Sequence, residues 1–114
     1  MTMEAPDEGS LELYEQVLDE LQLLRPGIAS KKMFGMPSLM IAGKPFAGLS
    51  GEDMIFKLSG DAHARALALP GAKPFDPMGG RPMKAWVQVP PEHSELWPDL
   101  AEEALHSHLA GHQT

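Results

Sequence analysis

The sequence predicts an α+β domain. It is a two-layer sandwich in which an antiparallel sheet carries helices on one face, in the order α-β-β-β-β-α-β-β-α. Three observations lead there. Between Ser30 and Ser59 short apolar runs are punctuated by Met36-Pro37-Ser38, Gly43-Lys44-Pro45 and Ser50-Gly51-Glu52-Asp53, the pattern of a meander. The gaps are too short for crossover helices, so the strands must pair antiparallel. Stretches with helical periodicity flank this meander on both sides, and helices gathered on one face of an antiparallel sheet give two layers around one core.

Taken in order, residues 1–9 are acidic, contain Pro and Gly and offer little to bury, and are expected to form a mobile tail ahead of one domain spanning 10–110. Ser10 is a candidate helix cap. Leu11, Tyr14, Leu18 and Leu21, widened by Val17 and Leu24, make an apolar stripe opposite Glu12, Glu15, Asp19 and Glu20. Arg25-Pro26-Gly27 ends the helix. Strands are expected at Lys31–Gly35, Leu39–Ala42, Phe46–Leu49 and Met54–Leu58, with Gly43-Lys44-Pro45 as a tight turn. In the fourth strand, alternation sets Met54, Phe56 and Leu58 against Ile55 and Lys57. Asp61 is read as the cap of a short helix, Ala62–Leu69, which Pro70-Gly71 stops. Ala72–Met78, broken by Pro74 and Pro77, reads as an edge strand or loop. Met83–Val89 alternates Lys84, Trp86 and Gln88 against Ala85, Val87 and Val89. After Pro90-Pro91, Ser94 is placed as the cap of a last helix, Glu95–Leu109, or one beginning near Trp97 because of Pro98.

Composition narrows the function. The 114 residues carry a net charge of −7 and no cysteine. Disulfides and thiolate metal sites are excluded, and a cytoplasmic location is expected. No apolar run reaches the ~20 residues of a membrane span. Charge is segregated along the chain: residues 1–30 hold seven acids and one base, residues 31–90 eight bases and four acids, and residues 91–114 five acids and no base. The sheet region is basic and the helices are acidic. The net acidity argues against direct nucleic-acid binding.

No nucleophile and base pair is recognisable, no G-x-S-x-G elbow occurs, and Gly79-Gly80-Arg81-Pro82 lacks the strand-to-helix setting of a phosphate loop. No enzymatic activity, no cofactor and no metal are expected. His106, His108 and His112 are assigned to a fraying terminus rather than to a metal site. The grouping of interest is Lys57, Lys84 and Trp86, with Ile55 beside Lys57 and with Lys32 and Arg81 at the edge. On an uncovered sheet face these would form an aromatic surface rimmed by cations, a candidate ligand or interface site. Alternatively, Trp86 packs in the core or in a dimer interface, with the lysine stems lying over it.

Met33-Phe34-Gly35, Gly43-Lys44-x-Phe46-Ala47, Ile55-x-Lys57-Leu58, Pro74-Phe75, the strand end from Trp86 to Pro90 and the closing helix occur in an order and spacing that resemble the N-terminal domain family of TfoX (Sxy), the bacterial competence regulator. The resemblance covers Lys31 to about Ala110 and implies a secretion-chaperone-like two-layer fold without catalytic residues or cofactor. The chain resembles a stand-alone member without the C-terminal helical domain, and it lacks the basic character of a DNA binder. The expected role is a regulatory or protein-interaction domain acting through a protein partner, with a homodimer expected. A binding protein for a small anionic ligand or peptide, and a competence- or transcription-associated factor, are the alternatives.

Overall fold

A computed structural model describes residues 7–33, 35–77, 79–80 and 82–111. Arg81 and His112, two residues singled out from the sequence, lie outside them, as do Met1 to Pro6, Phe34 and Met78.

Helix α1 spans Glu8–Leu24, starting three residues earlier than the sequence suggests. Its cap is Asp7, whose carboxylate accepts from the Ser10 N–H. Ser10, the expected cap, is buried in the first turn and donates through Oγ to the Glu52 carbonyl, 2.7 Å away. Glu8 and Gly9 therefore belong to the helix. Tyr14, Val17 and Leu21 bury its apolar stripe.

Four strands follow: β1 Ala29–Met33, β2 Met36–Ile41, β3 Lys44–Ser50 and β4 Asp53–Lys57. Helix α2 is Gly60–Leu67, with Ser59 rather than Asp61 at its cap position. Strands β5 Lys73–Phe75 and β6 Met83–Val89 complete the sheet. A 3-10 turn over Pro91–Leu96 leads into α3, Trp97–Gly111, so Ser94 lies in the turn and Pro98 is absorbed at the start of the helix.

All pairings are antiparallel and the strand order is β1-β2-β3-β4-β6-β5, six strands with β1 and β5 at the edges. One core joins the three helices to one sheet face. Tyr14, Val17 and Leu21 of α1, Ala66 of α2, and Trp97, Ala101, Ala104 and Leu105 of α3 meet Leu39, Leu49, Met54, Phe56, Val87 and Val89. Phe56 and Val87 are opposite each other in register and fully buried, as alternation requires.

Two local features were not anticipated. The β2–β3 turn is Ala42-Gly43, not Gly43-Lys44-Pro45, and both turn residues have positive φ, 53° and 78°. Pro45 instead lies in the strand opposite Met40, at an irregularity where Leu39 pairs with Ala47 and Met40 with Pro45. Phe46 is the extra residue of this β-bulge. Strict alternation would send it to the face away from the helices. The bulge turns it inward, where it is completely buried in the core.

Candidate functional site

The face of the sheet away from the helices is defined by register. Lys31 pairs with Ser38, Ser38 with Gly48, Gly48 with Ile55, Ile55 with Gln88 and Gln88 with Lys73. Residues paired directly across an antiparallel ladder point to the same side. One transverse row therefore runs from lysine to lysine across all six strands. Lys57 and Trp86 are direct partners in the neighbouring row, and alternation along β6 adds Lys84. Among the described strand residues, this face carries Lys31, Lys57, Lys73 and Lys84 against the single carboxylate of Asp53, which accepts from Gln88 Nε2 at 2.6 Å. All four lysines are exposed.

The geometry unites part of the expected group. Lys57, Trp86 and Ile55 share one patch, with Lys84 at its end. Lys32 does not belong to it. It pairs with Pro37 and shares its side of β1 with Ser30, whose hydroxyl meets the Tyr14 hydroxyl at 2.7 Å on the helix side. Edge strand β1 also stands four strand spacings from β6, roughly 19 Å. Lys31 is the β1 lysine on the patch side. Lysines on both faces of this edge discourage pairing with another copy of β1, because antiparallel pairing centred on Lys31 sets like charges together.

The patch is not an open apolar surface. Ile55 is only 3% exposed although no described helix covers it. Gly48 explains this. A Cβ there would lie 3.1 Å from the Pro37 carbonyl oxygen, 3.2 Å from Ser38 Oγ and 3.5 Å from Ile55 Cγ1, so the strands approach closely and Ile55 leans into the space a side chain would take. Ile55 is thus a packing residue rather than a contact residue. Trp86 is half-buried and stands outside the main core, which leaves part of the indole and the four ammonium groups as the accessible chemistry. Behind the sheet, α1 presents Glu8, Glu12, Glu15, Asp19 and Glu20 to solvent. The domain therefore has a cationic sheet face and an anionic helix layer.

The histidines also need revision. His108 is not in a frayed end: it is 8% exposed, and its ring centroid lies 6.4 Å from that of Phe46. His106 is exposed. Among the described residues no group of three or more His, Cys, Asp or Glu could hold a metal ion. No helix among them is long and apolar enough to cross a membrane.

A family model, the TfoX N-terminal domain, matches residues 19–107. Comparison with curated proteins and with solved structures gives no match.

Proposed function

Because the chain belongs to the TfoX N-terminal domain family, we propose that it acts as a non-enzymatic regulatory or protein-interaction domain, which docks through its lysine-bearing sheet face onto an acidic protein surface. The observation that carries this reading is the row from Lys31 to Lys73 beside the Lys57–Trp86 pair: four exposed lysines on one sheet face, three of them on the strand of a half-buried indole or on its two neighbours, with one hydrogen-bonded carboxylate on the same face. An amphipathic aromatic with a cationic rim suits a partner that combines apolar contact with negative charge. The charge distribution favours a second copy as one such partner. A symmetric dimer through this face would set lysines against lysines, whereas a head-to-tail arrangement sets them against the acids of α1. A cytoplasmic location, expected from the absence of cysteine, belongs to the same proposal.

Sedimentation velocity across a wide concentration range tests it. Association is expected to weaken with salt and to be lost in Lys57→Glu/Lys73→Glu with the circular dichroism spectrum unchanged. A parent that associates equally well in 0.05 M and 0.5 M salt, or a double variant that associates like the parent, overturns the docking face.

A further inference from the structure

A second polar site lies at the end of the molecule where β3 begins and β4 ends. A cleft of about 330 Å³ is lined by Lys44, Lys57, Leu58, Ser59, Ala85, Ser107 and His108. Its chemistry is one-sided. Two lysines and two serine residues line it, and among the described residues no carboxylate does. The nearest acidic side chain one turn back on α3, Glu103, is already engaged by Arg65 at 2.6 Å.

The two hydroxyls are held together: Ser59 Oγ donates to Ser107 Oγ at 3.2 Å. Ser59 occupies the cap position of α2 but makes no capping hydrogen bond with its side chain. The positive end of α2 therefore stands at the cleft wall without the oxygen acceptor its cap would normally supply. His108, packed on Phe46, gives the cleft a rigid inner wall. The β3 bulge that turns Phe46 inward also places Lys44 on the helix side of the sheet, opposite Ile41, where it faces α3 rather than the lysine row.

We infer that this cleft binds a small molecule through a phosphate or carboxylate group, with Lys44 and Lys57 supplying charge and Ser59 and Ser107 supplying hydroxyl donors. Cations and hydroxyl donors converging on one concave site are what an oxyanion requires. The site shares Lys57 with the docking face but is distinguished from it by Lys44 and Ser107, which lie off the lysine-bearing face.

The test is a titration of the full chain with sodium phosphate, and separately with sodium citrate, against sodium chloride at matched ionic strength, followed by backbone amide NMR. Saturable shifts centred on residues 57–62 and 107–108 are expected with at least one of the two anions. Which anion binds more tightly identifies phosphate or carboxylate as the recognised group. Lys44→Ala is expected to weaken binding about tenfold, the effect of losing one charge-assisted contact, while Lys73→Ala leaves it unchanged. Lys44 and Lys73 are both exposed, so neither replacement removes core packing. Shifts that match the chloride control, that spread equally to Lys31 and Lys73, or that saturate at the same anion concentration in Lys44→Ala as in the parent overturn the site without touching the docking proposal.

Discussion

Phe46 and His108 face each other with ring centroids 6.4 Å apart and planes inclined by 40°. The contact ties the last turns of α3 to the β3 bulge. It makes His108 part of the packing, although its position in the sequence suggests a dispensable end. Truncation should separate the two neighbouring histidines. His108→Ala is expected to cost about 2–4 kcal/mol, the range for removing a buried ring and leaving a cavity. His106→Ala, at an exposed position, should stay within about 0.5 kcal/mol of the parent. Urea unfolding of the two variants measures both, and equal midpoints would return His108 to the frayed end.

Tyr14 is the one tyrosine of the chain. Burial raises its pKa to about 12, with the hydrogen bond to Ser30 acting in the opposite direction and Glu15 adding to the rise. The phenol ionises less readily in the folded protein than in the unfolded chain, where its pKa is about 10. Its contribution is therefore fully present below pH 10 and is lost as pH rises from about 10 to 12, a loss of about 2–3 kcal/mol. A spectrophotometric titration near 295 nm reads this residue directly. A reversible midpoint near 10 in the folded protein would contradict the buried position.

Ala42 has φ of 53°, the one non-glycine residue with positive φ among those described. Left-handed backbone costs alanine about 1–2 kcal/mol, and two consecutive positive-φ positions in a two-residue hairpin loop favour Asn-Gly. Gly43 already supplies the glycine. Ala42→Asn is expected to stabilise the protein by about 1 kcal/mol, read as a higher urea midpoint with unchanged slope. A lower midpoint would show that the turn has another geometry.

The parts of the fold legible in the sequence are those where side-chain period alone decides. Met83–Val89 follows clean alternation and appears with the expected ends. Phe56 and Val87 face the helices for the same reason. What alternation cannot show is a change of phase inside a strand. The bulge at Phe46 moves one aromatic to the other face, and with it the environment of His108. The cap expected at Ser10 falls instead on Asp7, three residues earlier in the stretch read as a tail, and the Ser10 hydroxyl finds a carbonyl in the β3–β4 turn. That Lys57, Lys84 and Trp86 could share one sheet face was legible from the phase of their strands; that Lys57 and Trp86 are direct partners was not. Lys31 could not be told from Lys32, because neither carries a burial signal on an exposed edge strand. The Gly48–Ile55 approach had no signature beyond a glycine inside a strand.

The lysine row invites one further expectation, about nucleic acid. Four lysines on one face are a small electrostatic footprint, and the chain as a whole is at −7. Were the face to contact duplex DNA with all four, the affinity would fall with salt at a logarithmic slope near −3.6, about −0.9 for each neutralised phosphate. The acidic residues of α1 lie on the opposite layer of a domain whose radius of gyration is 13.0 Å. A separation on that scale exceeds the Debye length of ~8 Å at physiological ionic strength, so their repulsion is largely screened there. At low salt it acts in full against a polyanion. The two effects oppose each other, and neither leaves a strong site: low salt strengthens the lysine contacts together with the repulsion, while physiological salt weakens both. We therefore expect no duplex binding tighter than about 10 µM at 0.15 M salt, within the range of non-specific association. Fluorescence anisotropy with a labelled generic duplex at several salt concentrations checks this. Submicromolar binding with a slope between −3 and −4, removed by Lys57→Glu/Lys73→Glu, would make the lysine row a nucleic-acid surface and overturn the choice of an acidic protein partner.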